Sequence, residues 1–426
     1  MTDRTLRQMG RDRFPTDPRR ATVLGEIHAR PFPLITLPRA VITIAFMTQD
    51  GGLKDRATLG ELSRRQGVPP PSADARTHSL VFGRGRLRWE SHTEFSTYTW
   101  DGPTPERFGN QVEGHPFGAE FTPPGPMIAG VHLEIRPKDE DTEKGLAIFD
   151  KTSLCYSEME GGLAFAATDF RQDSDGLTRM LILSNGLTQA RAGALAMRLV
   201  DLEVYRTLAL LGLPLAQDIA PTVQGLEEHL VHITNEMKGG AEESRELLQE
   251  LTLAAAEVEA AAARVLYRFG ASRAYDDIVR ERLSAVGEQP VPGSESWNAF
   301  LQRRMAPAMR TCLSIDRRLA VLSEKLSRAA DLLRTRIDVE LEHQNRDLLT
   351  SMDKRARLQL RLQQTVEGLS VAAIAYYVVG LFGYVAKAVE AEGFPVSATI
   401  LTAAFVPIAL VGVWSVVHRI RTSHRD

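Results

Sequence analysis

The sequence predicts an α+β domain followed by a long α-helical stalk and a two-helix transmembrane hairpin. Strand-like patterns dominate the first part of the chain, helical periodicity replaces them, and two long uncharged runs lie near the C-terminus. We therefore expect four segments, namely an α+β domain over 1–185, a helical bundle and stalk over 186–365, the hairpin over 366–418 and a basic tail over 419–426.

Composition places the chain among ordinary globular proteins and excludes several classes of function. It has 426 residues, 43% of them hydrophobic and 25% charged, which is enough for two or three domains. A net charge of −3 gives no sign of a nucleic-acid partner. The two cysteines, Cys155 and Cys312, form no C-x-x-C pair, and the sequence has no P-loop, dinucleotide loop, G-x-S-x-G or H-E-x-x-H motif. We expect no enzymatic activity and no resident cofactor other than a candidate divalent cation.

The strand patterns predict an antiparallel-rich sheet up to about Asn185. A buried strand is expected at Ala40–Met47, and the alternation over Leu87–Trp100 predicts one long strand. Asp-Ser-Asp-Gly at 173–176 suits a hairpin turn. Further strands are predicted at Met127–Ile135, Leu163–Thr168 and Thr178–Leu183.

The helical part contains three predicted helices. Thr188–Leu211 is expected to end at Gly212 and Pro214, and Thr222–Phe269 is expected to break at Gly239-Gly240. From residue 295 to residue 386 the pattern predicts one helix of roughly 135 Å. Its apolar seam steps by four and three residues, as in a coiled coil, over Ile315, Leu319, Leu322, Leu326, Ala329 and Leu333.

Asn345 lies on the continuation of this seam. A polar seam residue can set the register of a coiled coil, or it can line a central channel when several stalks surround an axis. Both interpretations remain open from the sequence.

The two uncharged runs, 369–386 and 394–417, predict membrane spans. As helices they would be roughly 27 and 36 Å long, against ~30 Å of bilayer hydrocarbon. A buried helix of a soluble protein could be as apolar, but two such runs in tandem favour a hairpin. Basic residues concentrate before the first span and after the second. Because Lys and Arg prefer the cytoplasmic side, they predict an inner-membrane protein with cytoplasmic termini. These residues are Lys354, Arg355, Arg357 and Arg361 before the first span and Arg419, Arg421 and Arg425 after the second.

Three groups of residues are candidate sites. Glu26, His28, His92 and Glu94 have the i, i+2 spacing that an extended-chain metal site would need, although such residues on exposed strands are commonly just hydrated. The first span carries Tyr376, Tyr377, Gly380, Gly383 and Tyr384, which fit either close helix packing with an interfacial aromatic belt or a pore mouth. In the link, Glu390 and Glu392 are merely hydrated in a monomer and form acidic rings in a cyclic oligomer.

Two resemblances follow from particular segments. The segments 24–31 (LGEIHARP), 89–95 (WESHTEF) and 205–214 resemble a bacterial family of unknown function, described as predicted membrane-anchored proteins. The last ~130 residues are similar in architecture to the CorA magnesium channels, which are pentamers with the first span around the pore. That family carries Tyr-Gly-Met-Asn where this chain has Phe382-Gly383-Tyr384-Val385, so only the glycine of the Gly-Met-Asn motif is kept.

The sequence supports two hypotheses for function. The first is a CorA-like oligomeric cation channel or transporter, pentameric by resemblance and surrounded by membrane lipid. The second is a membrane-anchored scaffold or sensor, whose cytoplasmic domain binds a partner and which transports nothing. Neither span contains Asp, Glu, Lys, Arg or His, which favours the second, whereas backbone carbonyls can line a pore without ionisable groups.

Overall fold

The computed structural model describes residues 17, 19–20, 24, 32–48, 52–237, 241–391 and 396–423. The chain forms two compact units, one comprising 1–235 and 250–329 and the other 236–249 and 330–426. The change from strands to helices near Asn185 therefore lies inside the first unit.

A single mixed sheet forms the centre of the first unit. Within the described residues it has nine strands in the order β2-β3-β4-β1-β5-β8-β7-β6-β9. All neighbouring pairs are antiparallel except β5 and β8, which are parallel. The strands are β1 Arg39–Met47, β2 Thr77–Phe82, β3 Gly85–Ser91, β4 Phe95–Gly102, β5 Met127–Pro137, β6 Cys155–Met159, β7 Ala164–Gln172, β8 Thr178–Ser184 and β9 Gln289–Pro290.

The prediction of one long strand over Leu87–Trp100 is wrong. The segment contains the hairpin of β3 and β4, in which Ser91 pairs with Ser96. The turn closes where the His92 N–H donates to the Phe95 carbonyl, with 2.9 Å between N and O. Alternation continues in phase across this short turn, so its period-2 pattern cannot show the reversal.

The other predicted strands are confirmed, with small changes at their ends. β1, β5, β7 and β8 contain the predicted segments almost entirely. The turn between β7 and β8 is also confirmed, because the Gly176 N–H donates to the Asp173 carbonyl and the Asp173 N–H to the Leu177 carbonyl. An antiparallel-rich α+β sheet domain is therefore present.

Seven α-helices lie in the described residues. The predicted helix over Thr188–Leu211 is confirmed to within one residue at each end, and the Thr188 side chain accepts a hydrogen bond from the Arg191 N–H and caps the helix. Gly212 does end α3, but α4 begins there at once rather than near residue 222. The helices are α1 Leu53–Arg65, α2 Glu140–Glu143, α3 Gln189–Leu210, α4 Gly212–Glu236, α5 Ala241–Ala285, α6 Trp297–Ala391 and α7 Ala398–Ser423.

Helix α3 and the first turns of α6 cover one face of the sheet. Val41 of β1, Ile135 of β5 and Leu199 of α3 belong to the same buried cluster, as does Trp297, the first residue of α6. The Trp297 indole N–H donates to the Ala166 carbonyl of β7 at 3.2 Å. The long helix is therefore anchored to the sheet at its N-terminus.

Helices α4, α5 and the first part of α6 form a three-helix bundle inside the first unit. Side-chain pairs join each helix to the other two, through Arg264–Asp218 for α5 and α4, Arg273–Asp316 for α5 and α6, and Arg318–Glu227 for α6 and α4. The predicted seam residues from Ile315 to Ala329 are all buried, so the seam has packing partners within one chain.

Candidate functional site

The apolar end of α6 and most of α7 are long and apolar enough to cross a membrane. Only 11% of the apolar stretch of α6 and 6% of that of α7 are buried in the protein. A core helix of a soluble protein would be mostly buried instead. This pair of exposed apolar helices is typical of a membrane hairpin.

One face of α6 packs against α7. Phe382 and Phe405 stack with 3.9 Å between ring centroids. Ala375 and Ala386 are buried on the same face. A Cβ added at Gly383 would lie 3.6 Å from the Thr402 side chain, which is ordinary van der Waals contact. Small residues thus allow the two helices to approach closely, and Gly383 belongs to this contact.

A second face of α6 carries Tyr376, Tyr377, Gly380 and Tyr384, and we call it the Tyr–Gly face. At roughly 100° per residue these four positions share one side of the helix. All three tyrosines are more than two-thirds exposed, and a Cβ added at Gly380 would meet no atom within 4 Å. The Tyr–Gly face therefore has no partner among the described residues.

The remaining exposed face of α6 is mainly aliphatic. Ile374, Leu381 and Val385 lie roughly 100° around the helix from the centre of the Tyr–Gly face and are exposed. Aliphatic side chains suit lipid, whereas phenol hydroxyls in hydrocarbon lack hydrogen-bond partners. The phenol hydroxyls of the Tyr–Gly face therefore need a hydrogen-bond partner in protein, in water or at the membrane interface.

The two acidic candidates of the predicted link have different outcomes, and Glu390 lies on α6, which extends to Ala391. The Glu390 carboxylate accepts a hydrogen bond from the Ala398 N–H, with 3.1 Å between Oε2 and N, and so caps α7. Its position on α6 is on the side that faces α7, not on the Tyr–Gly face. Glu392 lies outside the described residues.

Asn345 lies in the middle of α6 and is exposed, like its seam neighbours Leu348 and Met352. Its two interpretations, register and channel lining, both stay predictions.

The four candidate metal ligands also have different outcomes. Glu26 and His28 lie outside the described residues. His92 and Glu94 lie in the turn between β3 and β4, where the His92 ring stacks on Phe95 with 4.1 Å between centroids. In the part of the chain that the structure describes, no three His, Cys, Asp or Glu side chains could hold a metal ion together.

Glu94 binds α5 instead of presenting a free carboxylate. It forms a bidentate ion pair with Arg268, in which Nη1 lies 3.0 Å from Oε1, and accepts a 2.8 Å hydrogen bond from the Tyr275 hydroxyl. Burial alone would raise the pKa of Glu94, but the hydrogen bonds from Arg268 and Tyr275 outweigh it and lower that pKa. Glu94 is therefore held as a charged structural group.

The partners of these candidates could not be found from local sequence patterns. Arg268 and Tyr275 follow Glu94 by more than 170 residues, and no spacing rule connects them. The α7 residues that contact α6, Thr402 and Phe405, could be predicted only weakly from the sequence. Their i, i+3 spacing places them on one face of α7.

The comparison with known proteins gives a family but no activity. No curated protein matches this chain. The family model described as "Protein of unknown function (DUF3422)" matches residues 15–424, which is nearly the whole chain. The chain therefore belongs to the DUF3422 family.

Proposed function

We propose that this protein is a homo-oligomer of the inner membrane in which the Tyr–Gly face of α6 surrounds a path for cations. The observation that carries the proposal is the unpartnered Tyr–Gly face, which is separated from the aliphatic face on the same helix. Cyclic symmetry is the usual form of soluble and membrane homo-oligomers and would bring one such face from every copy to a common axis.

The chemistry of the Tyr–Gly face fits this role. Around an axis, the hydroxyls of Tyr376, Tyr377 and Tyr384 gain hydrogen-bond partners in water or in neighbouring copies. Aromatic faces attract cations, and the backbone at Gly380 is accessible to an ion. The architectural resemblance to CorA channels supports a pentamer with the first span at the pore and both termini in the cytoplasm. The replaced Met and Asn of that family's motif argue against selectivity for magnesium.

A membrane-anchored scaffold without transport is the second candidate. Two observations favour it, namely the absence of Asp, Glu, Lys, Arg and His from 369–386 and the use of the Glu390 carboxylate as a helix cap. In that case the Tyr–Gly face forms only the contact between subunits, and the sheet domain carries the partner-binding function.

Flux into liposomes separates the two candidates. Purified protein is reconstituted with an entrapped fluorescent reporter for divalent cations, and magnesium, cobalt, nickel and zinc are tested. We expect flux above that of protein-free liposomes and a strong loss of flux in Gly380→Leu, which fills the axis. Val385→Leu, a change of similar kind on the aliphatic face, is the matched control and should keep wild-type flux. Absence of flux from an oligomeric wild type would favour the scaffold instead.

A further inference from the structure

The bundle in the first unit has a basic groove between α4 and α6. Its cavity is about 730 Å³. Two exposed valines lie in it, Val231 of α4 and Val321 of α6. Arg310 and Arg317 line the same groove and have no ion-pair partner among the described residues, whereas Arg318 is paired with Glu227 at 2.7 Å. The groove is thus apolar at its floor and positively charged at its rim.

The outer face of α5 has the opposite character. Leu253 is 60% exposed there. Ala256, Glu257 and Ala260 share the exposed side, opposite the buried residues such as Val258. Glu257 has no ion-pair partner in the described part of the chain. These four residues form a weakly apolar surface with one negative charge, that of Glu257, and we call them the α5 outer face.

The groove and the α5 outer face lie on opposite sides of the bundle. Each of α4, α5 and α6 contacts the other two through the three ion pairs given above, so the helices form a triangle in cross-section. The groove opens between α4 and α6, and the outer face of the third helix points away from both. A contact that joins opposite sides of identical subunits is head-to-tail, and such contacts form rings when their rotation closes.

We infer that the α5 outer face of one copy docks in the basic groove of the next copy. Alanines at positions 256 and 260 allow the backbone of α5 to approach the groove closely, as in helix-in-groove recognition. Glu257 supplies the negative charge that the unpaired arginines of the rim match. This inference rests on the proposed homo-oligomer and names the surfaces that would assemble it.

Cysteine cross-linking tests the contact in the full-length protein. In Ala260→Cys/Val321→Cys, a short bifunctional thiol reagent should produce a ladder of covalent multimers up to the full ring. Each single variant should stay uncross-linked, because a head-to-tail contact does not bring two copies of one position together. A mixture of the two single variants should yield covalent dimers only. The native cysteines are both buried, and wild type serves as the control.

A charge exchange provides an independent measurement. Glu257→Lys and Arg317→Glu should each weaken association roughly tenfold, and the double variant should recover most of the loss. Mass measurement in detergent separates the failures. An oligomer that gives no ladder, or that links through one single variant, overturns this interface and leaves the proposed function standing. A monomeric wild type overturns both.

Discussion

The Glu390 carboxylate and the Ala398 backbone N–H form the hydrogen bond that joins the end of α6 to the start of α7, at 3.1 Å. A carboxylate at this place satisfies an unpaired helix donor and interacts favourably with the helix dipole. The residue thus has a structural role within one chain, and the acidic ring of a cyclic oligomer stays a prediction.

Two substitutions at Glu390 separate the cap from the ring. Glu390→Ala removes the acceptor and should lower the free energy of unfolding in detergent by about 1 kcal/mol. Glu390→Gln keeps an oxygen acceptor and should retain cation flux in liposomes at both low and high ionic strength. A drop of flux in Glu390→Gln that appears only at low salt would mean that the charge acts on cations, since salt screens such an effect within ~8 Å.

The Glu94–Arg268 pair should make stability depend on pH in the acid range. Because the folded state lowers the pKa of Glu94, the pair contributes stability above the unfolded carboxyl pKa of ~4.3. That contribution is lost as the pH falls through the lower folded-state pKa. We expect denaturant unfolding in detergent to show less acid destabilisation between about pH 5 and about pH 2 in Glu94→Gln than in wild type. Equal pH dependence of the two proteins would contradict this account.

Replacing Arg268, the cation of the same pair, should lower the unfolding free energy more than replacing Glu94. Arg268→Leu leaves the largely buried carboxylate without its cation and should cost about 3 kcal/mol of unfolding free energy at neutral pH. Arg264→Leu is the matched control on the same helix, because its ion pair with Asp218 is exposed and should contribute less than about 1 kcal/mol. A similar loss of unfolding free energy in both variants would contradict the expectation that the buried pair contributes more than the exposed one.

Loss of the buried carboxylate in α1 should destabilise the protein about as much as loss of Arg268. Asp55 is 1% exposed, and its Oδ1 accepts hydrogen bonds from the Trp89 indole, the Ser96 hydroxyl and the Tyr98 hydroxyl. Asp55→Ala leaves three buried donors unpaired and should destabilise the protein by at least about 3 kcal/mol. Arg64→Ala, at an exposed surface pair of the same helix, should change stability by less than about 0.5 kcal/mol. Chemical denaturation of both variants checks the difference.

Local patterns predicted the elements of this chain better than their pairing. The hairpin of β7 and β8 followed from its Asp-Gly turn, and Thr188 marked a helix start, because both signals act over a few residues. The parallel pairing of β5 with β8 and the contact of Glu94 with α5 depend on segments far apart in sequence. Similarly, the apolar seam of α6 predicted that its residues are buried. The helices that bury them, α4 and α5, could be identified only from the three-helix bundle.

The central claim, that the Tyr–Gly face of α6 meets the same face of other copies, is tested most directly by cross-linking in native membranes. Gly380→Cys and Gly383→Cys are a matched pair three residues apart on the same helix. Around a shared axis, two Gly380→Cys copies should form a disulfide-linked dimer under mild oxidation. Gly383→Cys, which faces Thr402 of its own chain, should stay monomeric. Dimers in Gly383→Cys with none in Gly380→Cys would contradict the account.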